Sequence, residues 1–258
     1  MASNTKRRIQ SIRFEIDDFT YEDRVSMLML LQVKQREERK KSLLHRLVLL
    51  AKIPPELVDK RDLGGYYESL FQKLQRRHQG EGVTGLLLLY PSYVIHVIES
   101  SSDVLYSVIQ DLRNMQRQQE GALLLESKIL VMSHNISSRL FQKWEYSLLN
   151  IAAKRLDDTL QREPIEKVIS ECLTVFLKLG MQMQKAYKES PNNPLDSVLD
   201  NVPGLIVPQD LIGRLLKSNV LLTPAQFLDI YNAPLNVIMD SELVWPMPEH
   251  ILPATRKL

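Results

Sequence analysis

Imidazoles are the side chains of this chain best suited to chemistry near neutral pH. His45, His78, His96 and His134 all fall in its middle portion. Such groups can move protons or bind a transition metal, so two of them brought together by a fold would begin an acid–base or metal site. His78 and His96 could face one pocket, and His45 and His134 could lie on neighbouring strands. Neither pair is completed by the sequence. Structural zinc takes four protein ligands and catalytic zinc three, and no Cys or carboxylate spacing here supplies the remainder. The expectation is four histidines with structural roles. Cys172 is the single cysteine, which allows no intrachain disulfide and fits core filling in a reducing compartment. The sequence carries no Gly-x-Ser-x-Gly elbow, Walker loop or His-Glu-x-x-His helix. A phosphate cradle after the first strand is also excluded, because Ile53-Pro54-Pro55-Glu56 removes two amide donors and adds an acid.

The elements that would position these residues follow from apolar spacing. Leu44 to Ile53 reads as a strand stopped by Pro54 and Pro55. Gly64 and Gly65 then mark a loop, and Tyr67 to His78 carries a helical stripe. Val83 to Tyr90 and Tyr93 to Glu99 form strands joined across Pro91 and Ser92, most simply an antiparallel hairpin. A second helix shows the stripe Val104, Val108, Leu112 and Met115 and ends by Gly121. Leu123 to Met132 is a further strand, with Trp144 to Leu149 a shorter one. Strand, helix, strand, strand, helix, strand is the ferredoxin-like α+β order, an antiparallel sheet with both helices on one face. No aromatic platform of the kind RNA-binding sheets use appears at Leu47, Leu49, Val94 or Val97.

Four segments result. Residues 1–43 are an N-terminal helical arm, where Thr20 and Asp23 have capping-box spacing before Val25, Leu28 and Leu31. So narrow an apolar stripe must dock on the domain or on a partner. Residues 44–150 are the α+β domain, and 151–233 a helical extension with Pro164 opening a long helix and Thr223 capping a short one before Pro224. Residues 234–258 are a proline-rich tail, in which Trp245, Pro246, Met247 and Ile251 read as anchors for a protein partner. Met27, Met29 and the Met181 to Gln184 stretch add adaptable apolar surface.

The 258 residues hold 33 Lys and Arg against 31 Asp and Glu, a net charge of +2 that makes no general trap for nucleic acid. With 44% hydrophobic and 25% charged residues the chain reads as a globular cytoplasmic protein. Its longest apolar stretch, Gly85 to Ile98, is broken by Pro91, Ser92 and His96, and the basic amino terminus leads into acids, so neither a membrane span nor a secretory signal is expected.

Against this background, residues 44–150 resemble the BLUF domain, a flavin-binding blue-light sensor module. The resemblance rests on Gly82, Thr84 and Gly85 opening the Leu86 to Leu89 strand, and on Glu99 closing the next. It continues through Val108, Asp111 and Arg113, then Arg139, Phe141 and Trp144. It implies a flavin between the two helices, held by a Tyr in the first strand, an Asn near the end of the first helix and a Gln in the third strand. Those positions fall here on Leu49, on the Arg77 and His78 region, and on His96. Without the phenol and amide the family's hydrogen-bond switch cannot run in the same way. The chain also resembles the vertebrate testis-expressed proteins with a degenerate BLUF-like core. The expectation is a non-catalytic scaffold without cofactor or small-molecule substrate, acting through protein partners and destined for a sperm flagellar, axonemal or ciliary assembly. The alternative is a module that still binds FAD without normal photochemistry.

Overall fold

The computed structural model describes residues 27, 29, 30, 33, 43–78, 82–118, 121–149, 163–190 and 194–232. Its sheet is built from β1 (His45–Lys52), β2 (Thr84–Leu89), β3 (Tyr93–Ser100), β4 (Ser127–Ser133) and β5 (Trp144–Leu148) in the order β4-β1-β3-β2-β5. Helix α1 (Arg61–Arg77) joins β1 to β2, and α2 (Ser102–Gln118) joins β3 to β4. The chain then continues through α3 (Ile165–Glu189), α4 (Leu195–Asp200), α5 (Gln209–Leu216) and α6 (Pro224–Tyr231). A 3-10 turn, Pro203–Leu205, lies between α4 and α5.

The ferredoxin-like α+β core is present, with the β2–β3 hairpin antiparallel in the expected place. One correction concerns direction. The fifth strand pairs with β2 in parallel, Gly85 opposite Trp144 and Leu89 opposite Leu148, so the sheet is mixed. A parallel neighbour needs a long crossover, and here β3, α2, β4 and the 134–143 segment together supply it.

A second correction concerns the faces. α1 and α2 pack on one face through Leu63, Tyr67, Phe71, Val104, Val108 and Leu112, which meet Leu47, Leu49, Leu87 and Ile98. The other face is not left to solvent: Val48, Leu50, Leu86, Leu88, Ile95 and Val97 share a core with Val168, Phe176 and Leu179 of α3 and Leu211, Ile212 and Leu215 of α5. Every residue of β2 is consequently buried. A half-buried strand alternates apolar with polar residues, whereas a four-leucine run is what a strand covered on both sides requires. The chain passes from one layer to the other around the β4 edge, where the Ile129 amide donates to the Leu222 carbonyl at 2.8 Å.

Gly64 and Gly65 are the third correction, since both lie inside α1 and not in a loop. A Cβ at Gly64 would sit 2.6 Å from the Tyr146 ring, so this glycine lets the helix approach β5. Gly85 serves a similar end at the start of β2, with φ +155° and space for a Cβ only 2.0 Å from the Val97 carbonyl oxygen. The β4 strand is shorter than expected, because Leu123 to Leu125 run irregularly before it. Thr223 does cap α6, its hydroxyl accepting from the Gln226 amide while the Gln226 side chain accepts from the Thr223 amide at 2.9 Å. The Thr20 capping motif, the Trp245, Pro246, Met247 and Ile251 anchors and the whole 234–258 tail lie outside the described residues.

Candidate functional site

The positions implied for a flavin sit on the α1/α2 face of the sheet. β1 and β3 place Leu49 opposite His96, and β2 places Leu87 opposite it on the other side. Residues in register across antiparallel strands project from the same face, so the imidazole stands between two leucines. α1 closes over it. The Tyr67 ring meets the His96 ring edge-on at 4.4 Å, and Phe71 lies 5.9 Å away. Trp144, from β5, packs edge-on against Phe71 at 5.3 Å and reaches His96 with its indole N–H, which donates to Nε2 at 2.9 Å.

His96 is therefore the neutral tautomer that carries its proton on Nδ1, an atom buried without a hydrogen-bond partner. Burial pushes its pKa down to about 3, far below the range in which an imidazole exchanges protons in a cell. Tyr67, fully enclosed, has its phenol pushed up by burial first and by the nearby Asp111 carboxylate second. Neither group can serve acid–base chemistry near neutral pH.

Arg77 and His78 are placed elsewhere in character. Arg77 is exposed at the last turn of α1, and His78 is its half-buried C-cap, with its backbone amide on the Leu74 carbonyl at 2.9 Å. Neither belongs to the ring cluster around His96. The residues present do not fit a flavin: the implied Tyr position is a buried leucine, the implied Gln position is an imidazole already engaged by Trp144, and aromatic rings of α1 occupy the space above both.

Thr84, Glu99, Arg139 and Phe141 of the signature converge near the end of β3, where Glu99 projects from the face opposite to that of His96. Glu99 has no solvent exposure and is held from several directions. Arg46 reaches its Oε1 through Nε at 2.7 Å and Nη2 at 2.6 Å, and the Thr84 hydroxyl donates to Oε2 at 2.9 Å. The amides of Leu140 and Phe141 donate to the same carboxylate at 2.9 and 3.2 Å. Arg139 completes the knot, donating to the Thr84 hydroxyl at 2.9 Å and to the Glu99 and Gly82 carbonyls at 2.8 Å each. A buried carboxylate is tolerated only when paired and fully hydrogen-bonded, and these contacts do both. The cluster ties the starts of β1 and β2, the end of β3 and the 139–141 segment into one corner. Nothing in it points to a substrate.

His45 and His134 are brought together as the spacing suggested, their Nδ1 atoms 3.1 Å apart. His45 accepts there, also taking the Asn135 amide at 3.3 Å, with Asn135 at φ +50°. Burial and then the facing His134 hold His45 below the usual histidine value. Among the described residues no group of three His, Cys, Asp or Glu could hold a metal, and no helix is long and apolar enough to cross a membrane. Cys172 is buried in the second core, its thiol pushed up to about 12 by burial and by Glu171. The sequence reading missed Tyr67 and Phe71 as the residues that fill the implied pocket. The signal was available in part, since both lie on the stripe assigned to the helix.

A mixed five-stranded sheet with two helices on the α1/α2 face and an aromatic plug over its third strand defines a ferredoxin-like α+β domain. The solved structures it is similar to include BlrP1 BLUF (18% identity, 42% of this chain and 66% of that one, TM-score 0.33). They also include the Klebsiella pneumoniae BlrP1 pH 6 manganese/cy-diGMP complex (18%, 54% and 34%, TM-score 0.32) and BlsA in its photo-activated state (14%, 69% and 97%, TM-score 0.33). The chain thus spans less than two thirds of the length of both BlrP1 chains. A family model described as testis-expressed protein 47 matches residues 43–233, and the chain belongs to that family.

Proposed function

We propose that this chain is a non-catalytic interaction scaffold, cytoplasmic, whose BLUF-like core presents terminal segments to protein partners in a sperm flagellar or ciliary assembly. One observation carries the loss of chemistry: the surface that would meet a flavin ring is filled by Tyr67, Phe71 and Trp144 around a neutral, buried His96. Membership of a testis-expressed family supports the germ-line setting. The tail supports the partner reading by composition, because Trp245, Pro246, Met247 and Ile251 combine apolar area with prolines that break regular structure.

Three measurements test this. The purified chain incubated with FAD is expected to emerge from gel filtration colourless, whereas stoichiometric yellow flavin with a light-induced red shift would replace the scaffold by a working photoreceptor module. Affinity purification from testis extract with the tail intact and deleted is expected to lose axonemal partners on deletion. Trp245→Ala should weaken the recovered complex by about 2 kcal/mol, roughly thirtyfold in Kd, without lowering the melting temperature of the isolated protein. An unfolded Trp245→Ala variant with unchanged partner affinity would make the tail part of the core instead.

A further inference from the structure

α3 leaves part of the second sheet face imperfectly filled. A cavity of about 120 Å³ lies between α3 and strands β1, β3 and β4, lined by Val48, Val97, Val131, Leu173 and Phe176. A cavity of about 150 Å³ holds a benzene molecule, so this one takes a single apolar side chain. Leu177 lines it as well and is 44% exposed, and one turn further along α3 Met181 is 55% exposed. The apolar surface therefore continues from the cavity onto the outer side of the helix, as positions i and i+4 do.

The place where the chain enters the fold bears on what covers this surface. Arg46 also lines the cavity and is the second residue of β1, so the N-terminal arm is tethered beside it. That arm holds helical residues with exposed apolar side chains: Met27 at 70%, Leu30 at 49% and Val33 at 39%. Residues spaced by three fall within about a third of a helix circumference, which makes these one stripe centred on Leu30. The ten residues from Val33 to Leu43 span up to about 33 Å when extended, enough to lay the stripe across α3. A tethered segment also competes at high effective concentration against any free partner.

We propose that the α3 face bearing Leu177 and Met181, with the cavity beside it, is the docking site for the chain's own N-terminal helix, with Leu30 as the side chain that enters the cavity. Two exposed apolar surfaces would then cover each other. Any partner helix that uses this face must displace the arm.

The test uses the full chain at low concentration with Leu30→Cys and Leu177→Cys introduced together, and a mild oxidant. Cys172 is left in place, since it is buried with its thiol pushed up to about 12. The control pairs Leu30→Cys with Ile230→Cys, an exposed position on α6, which packs in the α1/α2 layer. An intrachain disulfide forming at least about tenfold faster than in the control supports the docking, as an effective-concentration effect requires. Equal rates in the two pairs, or no bond in either, overturn it. Disulfide-linked dimers also overturn it and give the face to a second copy. Amide exchange across 165–189 provides a readout free of engineered thiols: Leu30→Asp, an exposed position outside both cores, should speed exchange there. Unchanged exchange rejects the docked arm.

Discussion

At the scale of single residues, two neighbouring glycines of the BLUF-like signature separate by what surrounds them. A Cβ at Gly85 would lie 2.0 Å from the Val97 carbonyl oxygen in a backbone of φ +155°, whereas a Cβ at Gly82 meets nothing within 4 Å. Backbone oxygen cannot move aside without breaking the β2–β3 ladder. Gly85→Ala is expected to cost about 3 kcal/mol or more in chemical denaturation, and Gly82→Ala less than about 0.5 kcal/mol. Equal losses would refute the close-approach reading. His96 offers a second test. Its folded pKa of about 3 lies below the ordinary 6.5, so the unfolded chain binds the extra proton first as pH falls. Stability from this residue is complete above 6.5 and is lost on acidification, by up to about 1.4 kcal/mol per pH unit between 6.5 and 3. Denaturation of His96→Leu at pH 7 and 5 should show a smaller acid loss than the unsubstituted protein, and an identical loss would remove His96 as its source. His45, also held low, adds to the slope in both proteins.

Helix α1 shows how one element reconciles its own propensity with the sheet beneath it. It carries consecutive glycines, a weak sequence for a helix, yet only one of them is required by packing. Gly64 faces the Tyr146 ring at 2.6 Å from its hypothetical Cβ, and Gly65 faces open space. Gly65→Ala should therefore stabilise the protein by about 0.5–1 kcal/mol through helix propensity, and Gly64→Ala should destabilise it by displacing Tyr146. A thermal melt of the pair decides, and a shared sign would show that propensity alone governs both. The same helix is fastened to α2 by the Tyr66 hydroxyl, which donates to Asp111 at 2.6 Å. It thereby holds Tyr67 and Phe71 over His96, so the element that stabilises the layer is also the one that fills the implied cofactor position.

For the whole molecule, the decisive feature is the third layer. Val48, Leu50, Leu86, Leu88, Ile95 and Val97 would face water without α3 and α5. Exposed apolar area costs about 25 cal/mol per Å², and a bare sheet face of this kind also invites association. Residues 43–150 expressed alone are expected to aggregate, while 43–233 should stay monodisperse in light scattering. A soluble, folded 43–150 fragment would show that the C-terminal helices are dispensable cover.

Periodicity and turn chemistry, which are local, were enough to place β1 to β4, α2, α3 and α6. The Thr223 cap with Pro224 was legible because a capping box involves residues three apart. The signature residues from Gly82 to Trp144 were legible as a pattern; Gly82, Thr84, Glu99, Arg139 and Phe141 meet in one hydrogen-bonded corner, whereas Trp144 packs at His96. Other features depended on partners distant in sequence. The glycines of α1 suggested a loop until Tyr146 was placed against them, and β5 had no readable direction before it lay beside β2. Leu86 to Leu89 read as a strand of a sheet with helices on one face, and the second cover, supplied by α3 and α5, came from long-range packing. The fate of the flavin position was divided in the same way: the sequence showed Leu49 and His96 where phenol and amide would be needed, while the closure by Tyr67, Phe71 and Trp144 was decided by tertiary structure, because a cavity is filled by whichever side chains the fold brings to it.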